Sequence, residues 1–582
     1  MRTGSDLHLS CKLALGAVLL GPALLSPAAA QKGDGPPEGQ PQRGVRVVSG
    51  PRGMVNVRKL AQQEALNPPE PRPLRPKRKH RPDQVETIPP ELWDQMPRES
   101  GPAAALLPRE QPVMPRSPLP ALDFQALPDN GTSIPPDTMG TVGPNHLMVA
   151  LNTQVRFQNR TGATQGATVS LDGFWAGVTP ANPNAFDPRI AYDPFNDRWM
   201  FTAAADADTG SSSVLIGVTQ TADPTGNWFL YRVDADAAGA CWFDFPTIGF
   251  NKDWIVVTGN MFTVTAQTCA GGVQIYVFNK AAIYAGPPSL TPTVIPGTVT
   301  NTRVPVLTYD NTLPVLYLVR RFSGNSGGFG FLGVAKVVGP VGSETVVDLT
   351  GPPGFPRVRT PNTWSSGPPG GADFCPQMGT LALIQCNDDR ALSGVYRNGS
   401  VWLAQTVFLP AGGSPTRTAA QWWQFEPEVN DANGFANVLQ FGRVDDSSGV
   451  NFFAYPSIAV NSRNDALMGY SVFSASAFAS AAYSFRSASD PPGAMQSSVT
   501  YKAGLGTYVK TFGGPDNRWG DYSSTVVDPA NDLDFWTVQE FAALPSPGSL
   551  WGTWWAKVNA PAAAKKRQGQ VITQPLLLFL LW

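Results

Sequence analysis

Residues 518–541 read RWGDYSSTVVDPANDLDFWTVQEF, and this stretch decides the fold. Two runs rich in β-branched and aromatic residues, 523–527 and 533–538, flank the turn sequence DPAND. β-branched and aromatic side chains favour strands, while Asp, Pro and Asn favour turns. The stretch therefore predicts a β-hairpin.

The same hairpin pattern recurs along the chain. Its seven copies begin at Gly140, Pro188, Pro246, Pro305, Met378, Pro456 and Asp521, about 48 to 78 residues apart. Periods of this size are typical of repeat architectures. Helical repeats are excluded because apolar residues rarely recur at helical spacing in these runs, whereas a unit of four short strands fits the period.

The repeats predict an all-β fold, a β-propeller of seven blades, and the spacing also allows six or eight. Further strands are expected at residues 153–159, 213–220, 272–279 and 401–407. The aromatic run at 550–558, LWGTWWAKV, is expected to complete the first blade, because closing the ring removes exposed strand edges.

Residues 1–30 resemble a secretory signal peptide. Arg2 and Lys12 precede an apolar run that ends in Ala28-Ala29-Ala30, an A-x-A cleavage pattern, and the run is too short to span a membrane. We therefore expect a secreted protein that is extracellular, periplasmic or bound at the cell surface.

Residues 31–121 predict a disordered, Pro-rich basic tether. They hold 19 of the 57 prolines and carry a charge of +5, concentrated at 72–81. The favoured interpretation is a solvated linker, and the alternative is contact with a membrane or an anionic cell-wall polymer. The C-terminal tail, 559–582, ends in PLLLFLLW, which is too short to cross a bilayer.

The folded body spans residues 122–558 and is acidic. Subtracting +1 for residues 1–30 and +5 for the tether from the overall charge of −1 leaves −7 for residues 122–582. An acidic protein outside the cell is not expected to bind nucleic acid. We expect a monomer whose partner is an extracellular glycan or protein.

Four cysteines remain after the signal sequence. The simplest pairing joins neighbours in sequence, Cys241–Cys269 and Cys375–Cys386, as expected in an oxidising compartment. A zinc site is the competing interpretation, but no C-x-x-C motif occurs and only two histidines remain. We therefore predict no metal centre of this kind.

Calcium is the one cofactor that the sequence leaves open. Residues 206–210 (DADTG) and 528–534 group oxygen ligands of the kind that calcium prefers, although neither matches an EF-hand loop. Such Asp-rich turns more often hold a hairpin through side-chain-to-backbone hydrogen bonds, and that interpretation is favoured here. We otherwise expect no cofactor.

The block PPDTMGTVGPNH at 135–146, together with RWGDYS at 518–523, resembles secreted bacterial β-propeller proteins of mostly unassigned function. These proteins are loosely similar to the sialidase and Asp-box class, and residues 219–228 are similar to an Asp-box with altered spacing. The resemblance covers the body of the chain. It implies a propeller fold but no single activity, because one fold hosts many functions.

The resemblance to sialidases also implies candidate site residues. Arg189, Arg303 and Arg518 would bind a substrate carboxylate, with Asp521 beside them, because guanidinium groups bind carboxylates through two parallel hydrogen bonds. The catalytic candidates are Tyr522 with Glu540 as the nucleophile pair and Asp187 as the proton donor. The alternative is that these charged groups pair between neighbouring blades. The arginine motif typical of sialidases is absent.

Two functions follow from these observations. The leading hypothesis is a non-enzymatic module that binds an extracellular glycan, peptide or protein through loops at one face. The alternative is a sialidase-type exo-glycoside hydrolase. The two differ in whether the arginines, Tyr522 and Glu540 meet in one pocket.

Overall fold

The structure is a computed structural model that describes residues 37–70, 86, 88–96, 113–166, 168–179, 184–265, 269–297, 301–368, 371–544 and 549–562. For residues 269–271 it describes the backbone only. The predicted signal sequence, the basic run at 72–81 and residues 563–582 lie outside the described residues. Within the described ranges, no helix is long and apolar enough to cross a membrane.

The described residues form 33 strands and four short helices, so the prediction of an all-β fold is confirmed. The helices are α1 (Val57–Leu66), α2 (Pro90–Trp93), α3 (Leu171–Trp175) and α4 (Lys280–Ala285). The amino-terminal strands are β1 (Gln42–Arg43), β2 (Val45–Arg46), β3 (Gly53–Asn56) and β4 (Leu122–Pro128).

The remaining strands follow in chain order. They are β5 (Met139–Val142), β6 (His146–Ala150), β7 (Gln154–Asn159), β8 (Val169–Ser170), β9 (Ala185–Asp193), β10 (Arg198–Ala205), β11 (Ser213–Thr219), β12 (Asn227–Asp234), β13 (Cys241–Phe250), β14 (Trp254–Thr263), β15 (Cys269–Asn279), β16 (Thr293–Pro296), β17 (Val304–Pro305), β18 (Leu307–Thr308), β19 (Leu316–Ser326), β20 (Phe329–Val338), β21 (Thr345–Leu349), β22 (Val358–Thr360), β23 (Ala391–Arg397), β24 (Ser400–Leu409), β25 (Arg417–Asn430), β26 (Ala436–Val444), β27 (Phe452–Val460), β28 (Ala466–Ser474), β29 (Ala477–Arg486), β30 (Val499–Lys502), β31 (Ser524–Val527), β32 (Phe535–Ala543) and β33 (Leu550–Val558).

Consecutive strands pair antiparallel in groups of four. The groups are β5–β8, β9–β12, β13–β16, β17 with β19–β21, β23–β26, β27–β30, and β31–β33 with β4. The short strand β18 pairs parallel with both β13 and β23 and so joins two groups into one sheet. The first strands contact one another in the order β5, β9, β13, β17, β23, β27 and β31, and β31 contacts β5. This arrangement is propeller-like.

The core lies between neighbouring sheets and is rich in tryptophan. Trp555 and Val538, from the last group, pack against Gly140 of β5, where a Cβ atom would lie within 2.8 Å of both side chains. Trp536 and Trp555 meet edge to face with ring centroids 6.3 Å apart. Only glycine fits at this point between the last and first groups.

Part of the predicted tether has a fixed place in the fold, so the prediction of disorder is wrong for residues 37–70. In this segment β1 pairs with β21, β2 with β16 and β3 with β12, each along the outer edge of a sheet. The helix α1 follows, and its Glu64 accepts a hydrogen bond of 2.7 Å from the backbone N–H of Ser170. Outer strands carry unpaired N–H and C=O groups, which even two-residue strands can satisfy. We call residues 37–66 the amino-terminal belt.

Two predictions about the repeats need correction. The copy expected at Met378 is wrong, because residues 378–384 contain no strand and the first strand of that group is β23, followed by an Asn398-Gly399 turn. The run at 550–558 forms β33 as expected, but it does not complete the first group. Instead β4, from before the repeats, pairs with β33 and completes the last group.

Candidate functional site

Three aspartates meet where the first strands begin. Asp137 lies two residues before β5, Asp187 lies within β9, and Asp521 lies three residues before β31. One carboxylate oxygen of each lies within 4.8 Å of the others, and all three side chains are fully buried. Groups that are consecutive around the structure thus bring three acids together.

The backbone at these positions is unusual and repeats. Asp137 and Asp187 have φ angles of +52° and +53°, and Phe245, Asn387 and Tyr455 have similar values at the same point of other groups. Asp and Asn tolerate this left-handed conformation better than most residues. In β9, β13 and β27 the left-handed residue lies at a β-bulge. Bulges re-aim a side chain, so the repeat itself directs these residues.

Asn152 holds two of the aspartates. Its side-chain amide donates a hydrogen bond of 2.6 Å to Asp137, and its oxygen accepts one of 2.8 Å from the backbone N–H of Asp187. Asp187 Oδ2 in turn accepts a bond of 3.3 Å from the backbone N–H of Phe245. The first three groups are therefore linked through this cluster.

Asp521 is held by Arg518 and by the loop before β23. Arg518 Nη2 lies 2.7 Å from Asp521 Oδ1, and the Asn387 amide donates to the same oxygen at 3.0 Å. Arg518 Nε also donates to Gln385 Oε1 at 3.2 Å. Burial opposes the charge of Arg518, but Asp521 and Asp137 raise its pKa above the ordinary value.

Arg189 stacks on Tyr522 instead of facing solvent. Its guanidinium carbon lies 3.3 Å from the centre of the Tyr522 ring, and its Nε donates to the carbonyl of Pro246 at 2.9 Å. Burial lowers the pKa of Arg189, although Tyr522 and Asp187 oppose the shift. The Tyr522 hydroxyl donates to the carbonyl of Pro188 at 3.0 Å, and burial followed by Asp187 raises its pKa well above 10. Tyr522 therefore stays protonated, and its hydroxyl is bonded to Pro188 and not to Glu540.

Glu540 lies on the face of β32 that packs against the first group. Side chains alternate along a strand, so Glu540 shares a face with Val538, which packs against Gly140, three residues after Asp137. It is 4% exposed, and no described residue gives its Oε1 a hydrogen-bond partner. Burial, followed by the Asp137 charge, raises the pKa of Glu540 well above 4.5.

Arg303 does not join this cluster. Its Nη2 pairs with Asp348 Oδ1 at 2.9 Å, and burial lowers its pKa against the pull of Asp348. The expectation that Arg189, Arg303 and Arg518 converge is therefore wrong for Arg303, because the charge that it meets belongs to β21 of its own group. Six of the seven predicted site residues meet, and Asp137 is an additional member.

We call Asp137, Asp187, Arg189, Arg518, Asp521, Tyr522 and Glu540 the acidic cluster. Every member is at least 96% buried. The adjoining cavity along the first strands has a volume of about 50 Å³ and is lined by residues of all seven first strands, including Met139, Arg189, Thr247 and Ser457.

A larger cavity of about 250 Å³ lies at the other ends of the first strands, and we call it the mouth pocket. Sequence reasoning missed it. It is lined by Thr141, Val142, Tyr192, Pro194, Phe195, Tyr309, Arg397, Val526, Val527, Pro529 and Asp532. Several of these residues lie in the turns DPFND (193–197) and DPAND (528–532), which the sequence pattern predicts only as hairpin turns. An exposed aromatic residue in the turn, Phe195, was the available signal.

The mouth pocket combines aromatic faces with one ion pair. Arg397 pairs with Asp532 and lies 5.3 Å from the centre of the Tyr309 ring. Burial raises the pKa of Tyr309 to about 12, so its hydroxyl is neutral near pH 7. Phe195 is 41% exposed at the rim. Apolar walls with a few polar groups are typical of small-molecule sites.

The two runs considered for calcium make other contacts. Asp206 lies 3.3 Å from Arg232, and Asp528 accepts hydrogen bonds from Trp536 Nε1 at 3.1 Å and from the backbone N–H of Ala530 at 3.0 Å. The Asp528 contacts match an Asp-rich turn that caps a hairpin, whereas Asp206 forms an ion pair with a residue of β12.

One predicted disulfide is confirmed. Cys375 and Cys386 are bonded, with Cα atoms 6.0 Å apart, and both are buried. The Cys241–Cys269 pairing stays a prediction, since the side chain of Cys269 lies outside the described residues. Cys241 and Cys269 lie on β13 and β15, which flank β14.

No family model and no curated protein matches this chain. Among solved structures, a GH43 endo-arabinanase from Bacillus licheniformis shares 13% identity, covering 52% of this chain and 96% of its own, with a TM-score of 0.26. An endo-1,5-α-L-arabinanase from Thermotoga petrophila shares 12%, covering 75% and 99%, with a TM-score of 0.26. A protein of unknown function from Dyadobacter fermentans shares 8%, covering 65% and 96%, with a TM-score of 0.34. At these scores the likeness carries no argument, and the fold rests on the strand pairing.

Proposed function

We propose that the chain is a seven-bladed β-propeller. Seven groups of antiparallel strands follow one another, and contacts between their first strands return from β31 to β5. The pairing of β4 with β33 then closes the ring by joining the start of the body to its end. Such closure leaves no open side to the ring of blades.

We further propose that this propeller is a non-enzymatic module that binds a glycan in the mouth pocket. The observation that carries the proposal is the open, aromatic-lined cavity of about 250 Å³ at the carboxyl ends of the first strands. That volume is slightly below the roughly 300 Å³ at which drug-sized sites begin, so a ligand of one or two sugar rings suits it.

The pocket offers both kinds of contact that a sugar needs. The rings of Phe195 and Tyr309 give flat apolar surfaces, which pack against the C–H face of a sugar and exclude water. The Tyr309 hydroxyl has no hydrogen-bond partner among the described residues, and the Arg397–Asp532 pair adds donors and acceptors at the edge. These groups would bond the sugar hydroxyls.

Hydrolysis is the second candidate, and the described residues support it less well. Glycosidases place two carboxyl groups on either side of the scissile bond, about 5–9.5 Å apart. Among the described residues, Asp532 is the sole carboxylate that lines the mouth pocket, and it is paired with Arg397. The carboxylates of the acidic cluster are buried beside a cavity of about 50 Å³.

The proposed location is outside the cytoplasm. The buried disulfide Cys375–Cys386 supports an oxidising compartment, in which such bonds persist. Residues 1–30 have the pattern of a secretory signal. An extracellular glycan would then be the available ligand.

The test combines a glycan array with a panel of fluorogenic aryl glycosides that includes a sialoside. The proposal expects saturable binding to a defined set of glycans and no turnover. In the Tyr309→Phe variant, affinity for the array ligand should fall about threefold to tenfold, because one hydrogen bond contributes about 0.5–1.5 kcal/mol. Tyr231→Phe is the matched control, since its hydroxyl bonds to Pro287 away from the pocket. Turnover that is lost in Tyr522→Phe would support the hydrolase instead.

A further inference from the structure

We propose that the acidic cluster binds one calcium ion, with Asp137, Asp187 and Asp521 as ligands and Glu540 as a fourth carboxyl group beside them. This site lies at the start of the first strands, at the opposite ends of these strands from the mouth pocket. Its geometry is independent of glycan binding.

The spacing of the three aspartates suits a single ion. Oxygen ligands lie about 2.3–2.6 Å from calcium, so two ligands of the same ion are at most about 5 Å apart. The three carboxylate oxygens lie within 4.8 Å of one another. Calcium accepts six to eight oxygens in irregular geometry, which fits ligands that come from three separate chain segments.

Glu540 is an independent observation that indicates a ligand. A buried carboxyl group normally has hydrogen-bond partners, because leaving it without them costs free energy. Glu540 is 96% buried, its Oε2 lies 3.2 Å from the place where a Cβ atom of Gly520 would stand, next to Asp521, and its Oε1 receives no hydrogen bond from any described residue. Glu540 lies outside the group of three mutually close aspartate oxygens, so its Oε1 would accept a hydrogen bond from a water molecule bound to the ion.

The charges of the cluster leave room for a divalent cation. Four carboxyl groups, when ionised, carry −4, and the two guanidinium groups of Arg189 and Arg518 carry +2, which leaves −2. One calcium ion brings the sum to zero. Buried charges are tolerated when they are paired in this way, whereas unpaired ones are costly.

Calcium at this place would also have a structural effect. Asp521 belongs to the last group, while Asp137 and Asp187 belong to the first and second. The ion would therefore tie together the two ends of the repeat series. A ligand that binds the folded chain only raises the stability with the logarithm of its concentration.

The experiment uses the full chain, stripped with EDTA and then titrated with CaCl2 in a calorimeter and in thermal unfolding. We expect one calcium per chain and an unfolding midpoint that rises with calcium concentration. Glu540→Gln retains the shape of the side chain and should fold, and its calcium affinity should fall at least tenfold. Asp187→Asn should lose the calcium-dependent midpoint shift. Asp253→Asn, a partly exposed Asp paired with Lys252, is the control and should bind calcium like the parent.

Three results would overturn the proposal. The first is an absence of both heat and midpoint shift up to about 10 mM CaCl2, which exceeds the weakest dissociation constants of extracellular calcium modules, about 1 mM. The second is unchanged calcium affinity in Glu540→Gln and Asp187→Asn. The third is binding of MgCl2 but not CaCl2, which would contradict the assignment of the ion.

Discussion

Removal of the Cys375–Cys386 disulfide should destabilise the protein by a calculable amount. The bond closes a loop with a sequence separation of 11 residues, and both sulfurs are buried in the core that also holds Trp519. The residues on either side of Cys386, Gln385 and Asn387, bond to Arg518 and Asp521. The double change Cys375→Ala with Cys386→Ala therefore acts on the loop that supports the acidic cluster.

The magnitude follows from loop closure. Cross-linking a loop of 11 residues lowers the entropy of the unfolded chain by an amount equivalent to about 2.8 kcal/mol at 25 °C. Replacing the two buried sulfurs with methyl groups adds roughly 1 kcal/mol for lost packing. We therefore expect the free energy of unfolding to fall by about 4 kcal/mol.

Urea unfolding followed by tryptophan fluorescence and circular dichroism measures this change. The two probes should give coincident transitions, and the double variant should unfold at lower urea with a similar slope. Because the double variant already lacks this disulfide, adding a thiol reductant should cause no further loss of stability from this loop. A loss below about 1 kcal/mol would refute the reasoning, because the loop would then be ordered without its cross-link.

Three further changes test the fold. Trp555→Ala should lower the free energy of unfolding by about 3–5 kcal/mol in urea titrations, since its ring fills the contact between the last and first groups, and a loss under 1 kcal/mol would contradict that role. Deletion of the amino-terminal belt should expose the edges of β12, β16 and β21 and cause association in size-exclusion chromatography, whereas an unchanged monomer with the parent's unfolding midpoint would contradict it. Burial opposes the charge of Asp388, but Arg390 lowers its pKa from 3.8 to about 2. Its contribution of about 2 kcal/mol is therefore present above pH 3.8 and lost as the pH falls through 2, so Asp388→Asn should destabilise the protein in urea at pH 7 and not below pH 2.

The hairpins were predictable because their strands are long and strongly patterned. Residues 550–558 form β33 with the expected bounds, and 213–220 matches β11 to within one residue. The belt was missed because β1 and β2 are two residues each and leave no periodicity to detect. Proline content suggested disorder, whereas sheet edges fix these short segments by backbone pairing.

The copy assigned to Met378 failed for a different reason. Its apolar run, 378–384, lies inside the loop closed by the Cys375–Cys386 disulfide, and that loop needs no strand to be stable. The Asn398-Gly399 pair between two apolar runs was the stronger hairpin signal and indicates β23 and β24.

The acidic cluster was predictable in part. Arg518, Asp521 and Tyr522 stood out because they lie together in one repeat. Asp137 could have been found by aligning the repeats, because it precedes β5 much as Asp187 precedes the main part of β9. Arg303 lies at the corresponding point of another group, but the side-chain direction that sends it to Asp348 is a property of the folded sheet.

The central claim is that the mouth pocket binds a glycan. The affinity of the Phe195→Ala variant for the glycan selected on the array tests this claim most directly. Covering the exposed 41% of this residue removes about 80 Å² of apolar surface from water, equivalent to about 2 kcal/mol. Calorimetric titration should therefore show affinity about 30-fold weaker than the parent. Leu439→Ala, at a site 44% exposed on β26, should bind like the parent. Equal affinities of Phe195→Ala and the parent would contradict glycan binding in this pocket.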